Sequence, residues 1–177
     1  MKQFLIVVDM QRDFIDGALG TAEAQAMLPA AVERIRQCRA EGAVLIATLD
    51  THGPDYLDSA EGKKLPVVHC VRGTEGWQLH PAVRAALGED ALLVEKPSFG
   101  SVRLPQLIRE QLAPDEEPAI ELIGLCTDIC VVSNALLLKA HFPEAELSVR
   151  AACCAGVTPE KHRAALETMA SCQIDVL

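Results

Sequence analysis

Five polar side chains that could do chemistry stand just beyond apolar runs typical of strands: Asp9, Asp50, His52, Lys96 and Cys130. In an open parallel sheet the carboxyl ends of the strands share one edge, and ligands bind in the crevice there. We therefore expect these groups to converge, although they lie far apart in the chain. A lysine keeps a neighbouring acid ionised, and the acid can then accept the proton of a thiol. The pattern indicates an activated thiol.

The cysteine of this set lies where a helix is predicted to begin. In GLCTDICVVSNALLL a strand ends near Gly124, and Thr127 can cap a helix that starts at Asp128 and holds Cys130 in its first turn. Unpaired backbone N–H groups and the helix dipole there lower the pKa of a thiol from ~8.5 toward neutrality. The same N–H groups could stabilise an oxyanion. The alternative is a buried cysteine that packs on the helix.

Asp9 and Lys96 also have simpler explanations. An aspartate such as Asp9, directly after a strand, often caps the turn that follows. A lysine such as Lys96, past the end of a strand, is normally solvated. Their shared edge of the sheet favours the functional interpretation of both, together with Cys130.

A second group of residues could bind a metal ion. Asp50 and His52 are two residues apart after a strand, so their side chains point to one side in an extended backbone. His69, in the long loop of residues 50–80, could complete a set of two histidines and a carboxylate, which suits Zn, Fe or Mn. Alternatively, Asp50 caps the loop and the histidines are incidental.

Strands and helices alternate along the chain. Continuous apolar runs predict parallel strands covered on both faces, at residues 4–8, 43–49, 91–94, 119–124, 146–151 and 172–177. Helical patterns cover residues 22–41, 81–87, 104–112, 128–141 and 159–171. Gly42 closes the first helix, and Thr158 and Pro159 begin the last one. The fold class is therefore α/β.

Size and charge restrict the function. The 177 residues, half of them hydrophobic, suit a single domain spanning residues 1–177. A net charge of -9 argues against nucleic acid and anionic membrane surfaces as partners and favours a small-molecule ligand. The N-terminal apolar run is far shorter than the ~20 residues of a membrane span and lacks a signal cleavage site, so we expect a cytoplasmic protein.

The seven cysteines are expected to be reduced, because their number is odd and a core of this size needs no disulfides. Most of those outside the GLCTDIC segment are predicted to be small buried hydrophobic residues. They are Cys38, Cys70, Cys153, Cys154 and Cys172.

Six motifs together resemble the isochorismatase-like cysteine hydrolases and, among them, the nicotinamidases: VVDMQRDF, DTH, HCVRGTEGW, KPSFGS, GLCTDICV and CCAGVTPEKH. This resemblance implies a three-layer α/β/α, Rossmann-like fold around a six-stranded parallel sheet. It also implies a catalytic triad of Asp9, Lys96 and Cys130. The peptide bond entering Cys126 should be cis, and the backbone N–H groups of Cys126 and Cys130 should form the oxyanion hole.

The resemblance further implies one divalent metal ion, zinc or alternatively Fe or Mn, which holds the pyridine nitrogen of nicotinamide. Asp50, His52 and His69 would be ligands. The fourth ligand varies within the family, and this chain offers Tyr56, Asp58 and Glu61. We predict Glu61, which resembles the glutamate used by some members.

Two features depart from the family pattern. The Trp that many nicotinamidases carry before the second metal histidine is absent from KKLPVVH, which ends at His69, and the only Trp of the chain is Trp77. Phe14 remains as an aromatic wall for the substrate. Arg150 precedes Ala151 where many relatives have an Asp.

We therefore expect hydrolysis of a small amide through a thioester, with nicotinamide giving nicotinate and ammonia, by a homo-oligomeric enzyme. Within the family, the alternatives are a different amide or an isochorismate-like vinyl ether. A redox role for Cys126 and Cys130 is another possibility, but these residues lack the two-residue spacing of thioredoxin-like sites. A binding protein that has lost catalysis would not need an intact triad.

Overall fold

The computed structural model describes residues 1–177. Its strands are β1 (Lys2–Val8), β2 (Val44–Asp50), β3 (Leu92–Lys96), β4 (Pro118–Leu125), β5 (Glu146–Ala155) and β6 (Asp175–Val176). Its α-helices are α1 (Arg12–Ile15), α2 (Ala22–Ala40), α3 (Pro81–Leu87), α4 (Leu104–Glu110), α5 (Val132–His141) and α6 (Pro159–Ser171). None of the helices combines the length and the hydrophobicity that a membrane span requires.

The six strands form one parallel sheet in the order β3-β2-β1-β4-β5-β6. The register brings the carboxyl ends of the central strands side by side: Val8 is paired with both Thr48 and Gly124, and Asp50 is paired with Lys96. This strand pairing explains why the residues at the strand ends converge, as predicted. The predicted α/β class and six-stranded parallel sheet are confirmed.

The sheet is covered by a hydrophobic layer on each face. Along β1, Leu5 and Val7 pack with residues of α2 and α3, whereas Phe4, Ile6 and Val8 pack with residues of α4, α5 and α6. Because both sets of side chains are buried, the strand reads as a continuous apolar run rather than an alternating one. This accounts for the pattern from which the parallel sheet was predicted.

Several boundaries differ from the sequence-based predictions. The third strand continues to Lys96, so the lysine is the last strand residue rather than one beyond it. The final strand is only Asp175–Val176, because a tight bend with Gln173 at φ 62° precedes it. The predicted helix from Asp128 begins at Val132. A single π-helical turn, Thr127–Val131, precedes it. We call residues 126–131, which add the residue before that turn, the nucleophile turn, after the predicted nucleophile Cys130.

The long loop after β2 contains one short 3₁₀ turn, Tyr56–Asp58, and otherwise lacks regular structure up to α3. Two backbone hydrogen bonds fold it back on itself, since His52 donates to Cys70 and Arg72 donates to His52, both at 3.0 Å. These bonds bring the beginning of the loop next to residues 69–72. The two histidines of the predicted metal site therefore come from neighbouring backbone segments.

Candidate active site

Asp9 is fully buried directly after β1. Its backbone adopts the left-handed conformation, with φ 47°, which aspartate tolerates better than most residues. The hydroxyl of Thr48, at the end of the neighbouring strand, donates to Asp9 Oδ1 over 2.6 Å. The turn and this hydrogen bond hold the carboxylate at the carboxyl edge of the sheet.

Lys96 is buried at the same edge, with 1% of its surface exposed. Its Nζ lies 2.6 Å from Asp9 Oδ2 and 3.5 Å from Asp50 Oδ1. The same nitrogen donates to the carbonyl of Ser98 at 3.0 Å and lies 3.5 Å from Cys130 Sγ. One ammonium group therefore contacts two carboxylates and the thiol.

The protonation states of Lys96 and Asp9 depend on each other. Burial alone lowers the pKa of Lys96, but Asp9 and the other neighbouring anionic groups outweigh it and raise the pKa, so the ammonium form is retained. Burial raises the pKa of Asp9, and the nearby Asp50 adds to this effect, while Lys96 and Thr48 oppose it. A carboxylate whose pKa is raised is a stronger base, which suits proton transfer from a thiol.

Cys130 lies in the nucleophile turn and is 5% exposed. Burial raises the pKa of its thiol well above the ordinary value, and Asp9 raises it further, while Lys96 opposes the change. The predicted lowering of this pKa is therefore wrong. The turn keeps the sulfur beneath the surface, where a thiolate loses its hydration, and this outweighs the charge of Lys96. The thiol thus needs a base to become a nucleophile.

The peptide bond between Leu125 and Cys126 is cis, as the sequence resemblance implies. The carbonyl of Cys126 accepts hydrogen bonds from the N–H groups of Ile129 and Val131, at 3.0 and 3.1 Å. The N–H of Cys126 donates to no carbonyl group in the turns and loops. It is therefore available to a ligand. The N–H of Cys130 follows four residues later in the chain, and an oxyanion hole formed by these two groups stays a prediction.

The nucleophile turn is held by residues that sequence reasoning did not assign to the site. Thr127, predicted as a helix cap, instead pairs its Oγ1 with Nδ1 of His162 at 2.7 Å. Asn134 accepts from the N–H of Ser101 at 2.9 Å and donates to the carbonyl of Cys130 at 2.8 Å. His162 belongs to α6. Its contact with Thr127 joins residues 35 positions apart, and no local pattern indicates such a pair.

The predicted metal ligands form one cluster beside the thiol. Asp50, His52, Glu61 and His69 each offer one ligand atom, and these atoms lie within 4.8 Å of one another. His52 Nε2 is 2.9 Å and His69 Nε2 is 3.5 Å from Asp50 Oδ2. Both imidazole nitrogens are within 4 Å of Glu61 Oε1, at 3.9 and 3.8 Å. Asp58 is not part of this cluster.

The donor set fits a divalent metal ion. Two imidazole nitrogens with two carboxylate oxygens suit Zn, Fe or Mn. His69 Nδ1 lies 2.8 Å from the carbonyl of Val67, and donation to that oxygen leaves Nε2 with a free lone pair for a metal. Tyr56 packs against both histidine rings, while its hydroxyl donates to Leu65 at 2.9 Å. The tyrosine hydroxyl is therefore already engaged.

A cavity of about 230 Å³ connects the two clusters. Cys126 and Cys130 line it from the nucleophile turn, and Asp50, Glu61 and His69 reach it from the metal cluster. Apolar side chains form most of the remaining wall: Phe14, Leu19, Leu65, Phe99, Ile129 and Val157. A molecule in this cavity would contact the thiol and the metal ligands together.

The structure shows what occupies the two positions at which the sequence departs from the family pattern. Val68 stands where the missing Trp would be, is 51% exposed and does not line the cavity. Trp77 donates its indole N–H to Thr51 at 2.9 Å and packs on the core instead. Arg150 forms two hydrogen bonds with Glu121, at 2.7 and 3.1 Å, so the arginine has a partner within the sheet.

A parallel α/β sheet that gathers an acid, a lysine and a cysteine in one crevice is typical of hydrolases with a cysteine nucleophile. The chain belongs to the isochorismatase family, because the family model for the isochorismatase domain matches residues 3–177. The predicted family is confirmed, and so is the predicted enzyme class, an amidohydrolase.

Individual relatives agree with this placement. The chain is 30% identical over 158 residues to the nicotinamidase of Escherichia coli K12, which covers 75% of this chain and 74% of the relative. It is 26% identical over 186 residues to the nicotinamidase/pyrazinamidase of Mycobacterium tuberculosis H37Rv, covering 98% and 97%. The crystal structure of the Pyrococcus horikoshii pyrazinamidase in complex with zinc matches with a TM-score of 0.86 and 30% identity, covering 100% of this chain and 99% of that one.

Proposed function

We propose that this protein hydrolyses nicotinamide to nicotinate and ammonia, with Cys130 as nucleophile, Asp9 as general base and acid, and Lys96 as their electrostatic partner. One observation carries the proposal. The thiol cluster and the four-ligand cluster open into the same cavity of about 230 Å³, which is below the usual range for drug-sized ligands and suits one ring. The names of the relatives agree with this substrate class.

In the first half of the reaction, Asp9 accepts the proton of the Cys130 thiol as the sulfur attacks the amide carbon. The carbonyl oxygen becomes an oxyanion, which the backbone N–H groups of Cys126 and Cys130 stabilise. Asp9 then gives its proton to the leaving nitrogen, and the C–N bond breaks. The products of this half are ammonia and a thioester on Cys130.

In the second half, Asp9 accepts a proton from a water molecule, whose oxygen attacks the thioester carbon. The C–S bond breaks, the acid is released, and the proton returns to the sulfur of Cys130. Lys96 remains an ammonium ion throughout, since its neighbouring carboxylates hold its pKa above the ordinary value. Its charge stabilises Asp9 as a carboxylate and the sulfur as it becomes a thiolate.

The second cluster would hold one divalent metal ion through Asp50, His52, Glu61 and His69, and we propose zinc. When bound, the ion supplies Lewis acidity and an attachment point for a ring nitrogen. Phe14, whose ring lies edge-on to His69 at 5.5 Å between centroids, would form one wall for the substrate ring. These residues orient the amide toward the sulfur.

A different amide is the second candidate substrate, and the position before His69 favours it. The exposed Val68 offers no aromatic surface to the cavity, so the phenyl rings available to a pyridine ring there are those of Phe14 and the 42% exposed Phe99. An exposed ring forms a less rigid wall than a buried one and discriminates less between ring amides. Broader amide specificity is the expected consequence.

An ammonia-release assay across nicotinamide, pyrazinamide and aliphatic amides, with metal analysis of the same sample, tests both candidates. We expect the highest kcat/KM with nicotinamide, about one equivalent of metal per chain, and loss of activity on chelation that added zinc restores. Release of ammonia only from aliphatic amides would contradict the proposed substrate. Full activity in metal-free protein would contradict the proposed metal centre.

A further inference from the structure

Gln11 is fully buried between the end of β2 and the long loop. Its Oε1 accepts from the backbone N–H of Asp50 at 2.8 Å, and its Nε2 donates to the carbonyl of the same residue at 2.9 Å. Nε2 also donates to the carbonyl of Trp77 at 2.7 Å. The amide therefore fixes the peptide groups on both sides of Asp50 and connects them to the far end of the loop.

Asp13 contacts the backbone next to the metal-ligand candidate His69, as Gln11 contacts the backbone of Asp50. Its Oδ2 accepts from the backbone N–H of Cys70 at 2.8 Å, one residue after His69. The carboxylate also lies directly over Gly76, where any β-carbon would collide with it. The glycine thus permits the close approach that lets Asp13 reach the loop.

Backbone hydrogen bonds also connect the segment around Gln11 and Asp13 to the end of the long loop. The carbonyl of Met10 accepts from His80 at 2.9 Å, Arg12 donates to Gln78 at 2.9 Å, and Asp13 donates to Gly76 at 3.0 Å. Residues 10–13 therefore hold the returning part of the loop, residues 76–80, against the end of β1. We call residues 10–13 the clamp segment.

We propose that Gln11 and Asp13 are positioning residues that set the distance between Asp50 and His69 and so determine metal affinity. The inference rests on the metal centre of the proposed function. The ligands come from a strand end and from a loop without regular structure, whereas a zinc ion accepts ligands only within narrow distances of ~2.0–2.2 Å. Residues that orient metal ligands typically change metal affinity by ~10–100-fold when removed.

A substitution at Gln11 can separate the proposed positioning role from a role in packing. A methionine would fill nearly the same volume but could not make any of the three hydrogen bonds to Asp50 and Trp77. The variant Gln11→Met therefore removes the positioning contacts while keeping the shape. Gln37→Met, on the exposed face of α2, is the matched control.

Zinc affinity of metal-free protein, measured by competition with a chromophoric chelator, is the main readout, and urea unfolding of the same metal-free samples is the second. We expect Gln11→Met and Asp13→Ala to bind zinc ~10–100-fold more weakly than wild type. Asp13→Asn, which keeps an acceptor for Cys70, should recover most of the affinity. Gly76→Ala should weaken binding by displacing Asp13, without removing any ligand.

Three results would separate the failure of this inference from that of the metal centre. Wild-type protein that binds no zinc would overturn the metal centre itself. Wild-type protein that binds zinc, with Gln11→Met and Asp13→Ala binding equally well, would overturn the positioning role alone. A loss of stability in these variants at unchanged zinc affinity would do the same, because it would indicate packing only.

Discussion

The carboxylate of Asp50 divides its two oxygens between two clusters. Oδ1 lies 3.5 Å from Lys96 Nζ, and Oδ2 lies 2.9 Å from His52 Nε2. Burial alone would raise its pKa, but hydrogen bonds from the two histidines and the charge of Lys96 outweigh this and hold the pKa of Asp50 below its ordinary value. An ionised carboxylate thus joins the thiol cluster to the candidate metal centre.

Replacing Cys130 by alanine tests the division of labour between these clusters. We expect kcat for nicotinamide to fall by about 10³-fold or more, because no other thiol of the nucleophile turn is placed beside Lys96. Zinc affinity should be unchanged, because the sulfur is not one of the four ligands. Cys172→Ala, at an exposed site, is the control and should retain full activity. Substantial turnover by the Cys130 variant would refute the thioester mechanism.

For single residues, the sequence predicted which side chains come together in the site better than it predicted their burial and their contacts. Strand-end positions predicted that Asp9, Lys96 and Cys130 would converge, and the structure brings them together. Their roles remain predictions. The thiol pKa was predicted in the wrong direction because the depth of Cys130 depends on packing between distant elements. Gln11 stands in the VVDMQRDF motif, but its hydrogen-bond partners are 39 and 66 residues away and leave no local signal.

At the scale of elements, the position of the nucleophile turn depends on how closely β4 approaches β1. Gly124, the penultimate residue of β4, has φ 122°, and a β-carbon there would collide with the carbonyl of Val8. Only glycine combines this conformation with this approach. The start of the turn at Cys126 follows two residues later. The end of β4 therefore aligns the turn with Asp9.

Gly124→Ala should destabilise the protein by more than ~1 kcal/mol, because strain at positive φ and the collision with Val8 act together. Gly42→Ala is a matched control, since Gly42 also has a positive φ of 80° but has no atom within 4 Å of the added carbon. Urea unfolding of both variants measures the difference in the free energy of unfolding. Equal losses in the two variants would mean that the close approach contributes nothing.

Regular elements were the part of the fold that the sequence predicted well. The bounds of α3 and α6 agree with the predictions, and Thr158 caps α6 by accepting from Lys161, as its position suggested. The π-helical turn was missed because its geometry depends on contacts of Thr127 with α6 rather than on helix propensity. Most of the five cysteines outside the GLCTDIC segment were predicted to be buried, and four of them are, while Cys172 is exposed after the last helical turn.

At the scale of the whole molecule, one charged cluster ties a helix to two strands. Glu121 of β4 accepts from Arg34 of α2 at 2.8 and 2.9 Å and from Arg150 of β5 at 2.7 and 3.1 Å. Burial alone would raise the pKa of Glu121, but the two arginines outweigh it and hold the pKa below its ordinary value of 4.5. The carboxylate therefore favours the folded state when it is ionised.

The pH dependence of this contribution follows from its sign. Because the pKa of Glu121 is lower in the folded than in the unfolded state, the stabilisation is fully present above pH 4.5 and is lost as the pH falls through the folded value. Glu121→Gln should lower the free energy of unfolding by about 2 kcal/mol at pH 7, with a smaller difference in acid. Glu167→Gln, on the exposed side of α6, is the control. A difference from wild type that does not change with pH would contradict the assignment.

The order of the strands has a consequence for the synthesis of the chain. β1 pairs with β2 on one side and with β4 on the other, and more than a hundred residues separate β1 from the start of β4. While the ribosome extends the chain, β1, β2 and β3 can pair before β4 exists, and the apolar edge of β1 then lies open. Insertion of β4 closes that edge, and the turn that follows β4 brings Cys130 to Asp9. The same segment of the chain therefore completes the centre of the sheet and the candidate catalytic cluster, while the other side of β4 stays open until β5 pairs with it.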